Sequence, residues 1–234
     1  PIIYHPSYDI PLPKDHRFPG TKYSVLIKQL ESTGQIENYL RYVPKPATAA
    51  HLSIAHDPVY IRAIETGNLS KQQQTKLGLP WSEILRQRSF LAPNGTLLTA
   101  QLALQSGIAC HVAGGTHHAH WGFGAGFCVF NDLVYAARAL IELKLVKRVL
   151  IFDCDVHQGD GTASILSKDK NIFTCSIHCA ENYPAKKARS DLDFPISKGA
   201  GDEDYLAALR QCLSEIDRVN FSPDLVIYDA AVDV

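Results

Sequence analysis

The chain has 234 residues, enough for one large α/β domain with a sizeable core. Apolar residues make up 46% and charged residues 20%, and the net charge of −1 points to neither a nucleic-acid surface nor a basic membrane patch. No apolar run approaches the length of a membrane span, and the opening Pro-Ile-Ile-Tyr-His-Pro is not the pattern of a signal peptide.

Six cysteines, at positions 110, 128, 154, 175, 179 and 212, form no Cys-x-x-Cys pair and read as reduced core thiols of a cytoplasmic protein, or of a nuclear one in a eukaryote. Methionine is absent, so the expectation is a processed chain or a fragment. The sequence stops just after the strand-like Leu225 to Tyr228, where a functional loop is expected.

In chain order, residues 1–20 are rich in His, Pro and Tyr and read as an ordered but irregular surface segment. Lys22 to Ser32 reads as a helix with Gly34 just past its end. Asp57 and Pro58 suit the cap and first turn of a helix carrying Tyr60, Ile61 and Ile64 and ending near Gly67. Residues 68–95 are polar and mixed, with a weak helix from Trp81 to Gln87. Gly95 to Ser106 is a separate helix, and Ile108 to Val112 a short strand or helix end. Beyond them the pattern turns to alternating α and β. Asn131 to Leu145 is an amphipathic helix capped by Asn131 or Asp132, and Lys147 to Phe152 is a continuous apolar strand of the buried parallel type. Ala163 to Leu166 is helical, Asn171 to His178 a strand, and Glu181 to Gly201 a loop. Glu203 to Val219 is a helix with Tyr205, Leu206, Leu209, Leu213, Ile216 and Val219 on one face, and Leu225 to Asp229 is a strand. With no repeat and no linker, residues 1–234 form one α/β domain around a parallel sheet, with ligands at the carboxyl ends of its strands.

Three polar clusters follow the apolar strands: Asp153 to Asp160, Ser176 to His178, and Asp229 to Asp233. A parallel sheet gathers them on one edge. Asp155 and His157 are two residues apart and point the same way on an extended segment. With Asp233 they make a two-Asp, one-His donor set with an open position, the pattern of a catalytic zinc site; iron and manganese suit the same donors. His117 and His118, beside Gly114-Gly115, suit a general acid/base pair, and Asp153 and Asp160 are available to orient one imidazole each. His120 has no matched role and reads as a surface residue. Asp229 reads as a residue that supports the ligands from behind or as a structural one, not as a direct ligand, and Cys175 and Cys179 read as core thiols rather than a second metal site.

Gly114-Gly-Thr-His-His-Ala119, Gly126-Phe-Cys-Val-Phe-Asn-Asp132, Asp153-Cys-Asp-Val-His-Gln-Gly-Asp-Gly161 and Tyr228-Asp-Ala-Ala-Val-Asp233 resemble the successive motifs of the histone deacetylase superfamily. That superfamily includes acetylpolyamine amidohydrolases and acetoin-utilisation proteins. Tyr4-His-Pro, His16-Arg-Phe-Pro19 and Ser176 to Pro184 resemble the class IV branch and its bacterial relatives.

The resemblance implies an arginase/deacetylase-like three-layer α/β/α fold with a mainly parallel sheet and its C-terminal part missing. It also implies zinc-dependent hydrolysis of acyl-lysine in a protein, with an acetylpolyamine or other small acylated amine as the alternative substrate. By motif, Asp155, His157 and Asp233 are zinc ligands, and His117 and His118, backed by Asp153 and Asp160, are the acid/base pair. The resemblance further implies a structural potassium ion at Asp153, Ser176 and Ile177 and the main-chain oxygens of Asp155 and His157. Phe127, Tyr183 and Gly126 line the acyl-lysine tunnel. Three departures stand out. Ala231 occupies a position where relatives carry Gly, Asp160 one where many of this branch carry Asn, and the oxyanion tyrosine is expected beyond residue 234. A metal- and acyl-binding homologue without turnover is the reading of another class.

Overall fold

The first residues, expected to form a surface segment, are pinned in the interior. In the computed structural model, which describes residues 1–231 and 233, strand β1 (Ile2–Ile3) pairs in parallel with both β2 (Arg41–Tyr42) and β3 (Cys110–His111). Ile3 and Tyr8 are fully buried, and the Tyr8 hydroxyl lies 2.7 Å from His111 Nε2. Two-residue strands carry no periodicity, so nothing in their pattern separates them from loop.

The expected helix starts and stops hold where side-chain chemistry sets them. Helix α1 spans Lys22–Ser32, with Gly34 following at φ +68°. A short α2 (Ala49–Leu52) precedes α3 (Pro58–Thr66), where Asp57 accepts the Val59 N–H and Gly67 closes the end in the left-handed region. The polar stretch after it contains a helix the pattern hid, α4 (Lys71–Leu77), opened by a reciprocal Ser70–Gln73 capping box.

The two separate helices expected at 81–87 and 95–106 are one 24-residue helix, α5 (Glu83–Ser106), which runs through Pro93. Proline normally interrupts the ladder. Here residues 45–47 hold the helix from outside on either side of the proline: Ala47 N–H donates to Phe90 O at 2.7 Å, and Asn94 Nδ2 donates to Lys45 O at 2.9 Å. Helix α6 (Asp132–Glu142) starts at Asn131, whose side chain accepts the Val134 N–H.

Next come β4 (Val149–Asp153), α7 (Asp160–Leu166), β5 (Ile172–Cys179), β6 (Leu192–Ile196), α8 (Asp202–Arg218) and β7 (Leu225–Asp229). Strand β6 lies inside the stretch expected to be loop. The four strands form a parallel sheet in the order β6-β5-β4-β7. Along β4, Val149 and Ile151 enter the core shared with α3, α5 and α6, while Leu150 and Phe152 face the core under α8. That alternation makes three layers and explains a strand with no polar face. On α8 the buried stripe is Tyr205, Leu209, Cys212 and Ile216; Leu206, Leu213 and Val219 are exposed, so the apolar face lies slightly to one side of the expected one.

His56, buried beneath this assembly, is held as a neutral imidazole. Its Nε2 accepts the Asn131 N–H at 2.8 Å, and its Nδ1 faces the His120 carbonyl at 3.0 Å. Burial pushes its pKa down to about 4, against the weaker upward pull of the His120 and Trp121 carbonyls. The folded value lies below the unfolded one, so its contribution to stability is complete above a pH of about 6.5 and is lost as pH falls towards 4. Between pH 7 and pH 5 His56 is expected to account for about 2 kcal/mol of destabilisation. Urea unfolding at both pH values should show a correspondingly smaller loss in His56→Gln.

Candidate metal centre and paired histidines

Strand register assembles the site. Asp153 at the end of β4 pairs with Ser176 on β5 and Asp229 on β7, so the three polar clusters meet at one sheet edge. Beyond β4 the chain turns on its own carboxylates. Asp153 Oδ1 accepts the Asp155 N–H at 3.0 Å, and Asp155 Oδ1 accepts the His157 N–H at 2.7 Å.

Asp155, His157 and Asp233 each offer a donor atom within 4.8 Å of the others. His157 Nδ1 lies 2.8 Å from Asp155 Oδ1 and 3.3 Å from Asp233 Oδ2. Tetrahedral ligands at zinc bond lengths stand about 3.3 Å apart. The His157–Asp233 separation fits a zinc-sized ion, and the His157–Asp155 gap would widen by about half an ångström to match it. Burial would raise the Asp155 carboxyl, but hydrogen bonding to His157 and the charge of His117 hold it below its usual value. The Asp155 hydrogen bond raises His157 in turn.

The histidine pair lies on the loop after β3. Buried Asp132 accepts the N–H groups of Gly115 and Thr116 and the Thr116 hydroxyl, which fixes that loop. Gly161 is required by close approach, since a Cβ there would lie 2.3 Å from the Ala119 carbonyl oxygen. His117 Nδ1 lies 2.7 Å from Asp153 Oδ2, and His118 Nδ1 lies 2.7 Å from Asp160 Oδ1. The ring centroids are 4.1 Å apart.

The two imidazoles are driven apart electrostatically. Burial alone would lower His117, but Asp153, by charge and hydrogen bond, together with Asp229 and Asp155, raises it to about 10. Burial holds His118 below its ordinary value and the His117 charge adds to that, against the Asp160 hydrogen bond. One imidazole is thus kept cationic and its neighbour neutral.

Asp229 is no bystander. Its side chain is 12% exposed, its Oδ2 lies 3.7 Å from His117 Nδ1, and with Asp153 and His117 it forms a second convergent donor group. Burial and the neighbouring Asp153 push its carboxyl well above the usual range, and Oδ2 has no hydrogen-bond partner among the described residues. Its place on the strand next to Asp153 was legible; its contact with the His117 loop was not.

His120 is not the surface residue expected from sequence. Its side chain is 19% exposed and its Nε2 lies 3.1 Å from Asp160 Oδ2. The Tyr183 ring stands edge-on to His118 at 4.8 Å, which puts that tunnel candidate against the histidine pair. Gly126, at φ +53°, is also required here, because a Cβ would lie 2.5 Å from His118 Cδ2. Phe127 is held in the left-handed region at φ +67° and packs under the N-terminal strap, 5.6 Å from Phe18 and 5.7 Å from His16, with the Arg17 guanidinium 6.0 Å from its centroid. Phe127 stays half-buried and lines an open pocket with Pro13, Asp15, His16, Arg17 and Gly78.

Ser176 is buried and its hydroxyl lies 3.0 Å from His178 Nδ1, beside the fully buried Ile177. The two β5 cysteines diverge in role: Cys175 Sγ lies 2.8 Å from Cys212 Sγ on α8, while the Cys179 thiol faces Glu181. Ala231 adopts φ +24°, a conformation that costs alanine more than glycine.

A crystal structure of an HDAC homologue complexed with SAHA matches the fold with a TM-score of 0.82 over 97% of this chain and 66% of that one, at 24% identity. The fold is therefore that of solved histone deacetylase homologues. The family model described as histone deacetylase domain matches residues 16–234, and the chain belongs to that family. It is 46% identical over 233 residues to an uncharacterized protein of Picosynechococcus sp., covering all of this chain and 77% of the relative. It is 31% identical over 246 residues to histone deacetylase 2 of Arabidopsis thaliana, of which it spans 63%.

Proposed function

We propose that this protein is a zinc-dependent amidohydrolase that removes an acyl group from acyl-lysine. The observation that carries the reading is a pair of buried His–Asp couples, each closed at 2.7 Å, beside a convergent two-Asp, one-His donor set. Asp155, His157 and Asp233 would hold the ion, and Fe²⁺ suits the same donors. A divalent ion there supplies Lewis-acid polarisation of the scissile carbonyl and acidifies water near neutral pH. Asp153, Ser176 and Ile177 would hold potassium together with the main-chain oxygens of Asp155 and His157.

The protein's own groups handle the protons. A proton on His118 Nδ1, held by Asp160, leaves the Nε2 lone pair free to accept one from the attacking water. His117, kept cationic by Asp153 and Asp229, supplies positive charge as the tetrahedral species forms and a proton for the leaving amine. Tyr183 and Phe127 supply apolar ring surface for the lysine methylenes. The SAHA complex of the homologue supports an acyl-lysine-like ligand.

The test is hydrolysis of a fluorogenic acyl-lysine and of an acetylated polyamine by the zinc-loaded full-length protein. Turnover of the first supports the reading, and preference for the second assigns a small acylated amine as substrate. The positive φ at Ala231, two residues from Asp233, favours the alternative of a non-catalytic acyl-binding homologue. Bound zinc with no turnover of either substrate would establish that alternative.

A further inference from the structure

We propose that His120 is a positioning residue, the third member of a His118–Asp160–His120 relay that orients the His118 imidazole. The inference rests on the hydrolase reading for its kinetic consequence, but not for its geometry. Asp160 divides its two oxygens between two imidazoles: Oδ1 lies 2.7 Å from His118 Nδ1 and Oδ2 lies 3.1 Å from His120 Nε2. A carboxylate with one partner can rotate about its terminal torsion. One gripped at both oxygens cannot do so without breaking a bond.

His120 is itself fixed from several sides. Its ring stacks on Phe123 with centroids 4.5 Å apart and planes inclined by 18°. Its N–H donates to the Phe123 carbonyl at 2.9 Å, and its own carbonyl faces His56 Nδ1 at 3.0 Å. The Lys76 ammonium lies 4.3 Å from the Phe123 centroid, close to the stack. The ring therefore cannot swing away from Asp160 without dismantling its own support. Since ionised Asp160 only accepts, His120 Nε2 must carry the proton. The consequence falls on His118: with Oδ2 occupied, Oδ1 stays aimed at His118 Nδ1, and the proton stays on that nitrogen.

Two substitutions separate the donor from the ring. His120→Phe keeps an aromatic face on Phe123 and removes the donor; His120→Gln keeps an N–H donor and removes the stack. In zinc-loaded full-length protein acting on an acyl-lysine substrate, the Phe variant is expected to lose about tenfold in kcat with KM within twofold. The Gln variant is expected to stay within threefold of the parent. A second readout is independent of turnover: the ¹⁵N spectrum of the His118 imidazole in metal-free protein. The Nδ1-protonated tautomer should dominate in the parent and in the Gln variant and give way to a mixture in the Phe variant.

Equal losses in both variants, no loss in either, or an unchanged His118 tautomer in His120→Phe would overturn the relay. If the parent hydrolyses nothing, the hydrolase reading fails and the ¹⁵N spectra alone decide the relay. If His120→Phe does not fold, His120→Gln decides: a retained Nδ1 tautomer supports the relay and a lost one overturns it.

Discussion

Asp153→Asn is expected to lower kcat on acyl-lysine by about 10³–10⁴ while KM changes less than threefold. The size follows from which oxygen does what. Asp153 Oδ1 is committed to the Asp155 N–H at 3.0 Å, so the asparagine must keep its carbonyl oxygen there. Its amide nitrogen then occupies the place of Oδ2, 2.7 Å from His117 Nδ1. Two donors cannot face each other, so His117 must present a lone pair at Nδ1 and move its proton to Nε2. The substitution also removes the charge that, with Asp229 and Asp155, offsets burial and holds His117 cationic. In Ser-His-Asp enzymes the same Asp-to-Asn inversion costs about 10⁴. Folding should not suffer in parallel, because Asp229 and Asp153 are two buried carboxyl groups in one cluster and neutralising one relieves the other. Steady-state kinetics beside a thermal melt checks both halves: an inactive but equally stable variant is expected, and a kcat within tenfold of the parent would reject the role given to Asp153.

The parts of the fold legible in the sequence are those where local chemistry and tertiary context agree. Asp57-Pro58 with Gly67, and Asn131 ahead of its apolar stripe, carry their own start and stop signals, and α3 and α6 follow them. The missed elements depend on distant partners. Strands β1, β2 and β3 are two residues each and exist only because they pair across the chain. Strand β6 pairs with β5 through residues that are only half-buried, and Pro195 within it breaks the usual strand composition. Helix α5 runs through Pro93 where residues 45–47 bind it from outside, a contact no window centred on Pro93 contains.

The candidate site divides the same way. Asp155 and His157 announce themselves by spacing at the end of an apolar strand, and the pairing of Asp153 and Asp160 with the two histidines holds in the geometry. His120 and Asp229 each act through a neighbour far away in sequence: His120 through Asp160, forty positions on, and Asp229 through the loop at Gly115 to His117. A histidine shortly past the paired His117 and His118 looks like a solvated loop residue until the fold supplies its carboxylate.

Asp155→Asn should show whether the convergent carboxylates hold a metal at all. Asparagine keeps an acceptor for the His157 N–H, now at 2.7 Å, so the turn that carries His157 survives. What it removes is the anionic donor that lies 2.8 Å from His157 Nδ1 and closes the set with Asp233. A neutral amide oxygen is a far poorer ligand for a divalent ion than a carboxylate, and zinc affinity is expected to fall by about 10²-fold or more. Because binding to the folded state stabilises it in proportion to the logarithm of ligand over Kd, a 10²-fold loss removes about 2.7 kcal/mol of zinc-induced stabilisation at saturating metal. Elemental analysis after dialysis against a weak chelator, together with unfolding midpoints with and without zinc, reads both quantities. Cys179→Ala should leave both unchanged, because the Cys179 thiol faces Glu181 and no member of the donor set. One zinc per chain retained by Asp155→Asn, with an undiminished shift in midpoint, would place the ion elsewhere, and the nearest alternative is the buried group formed by His117, Asp153 and Asp229.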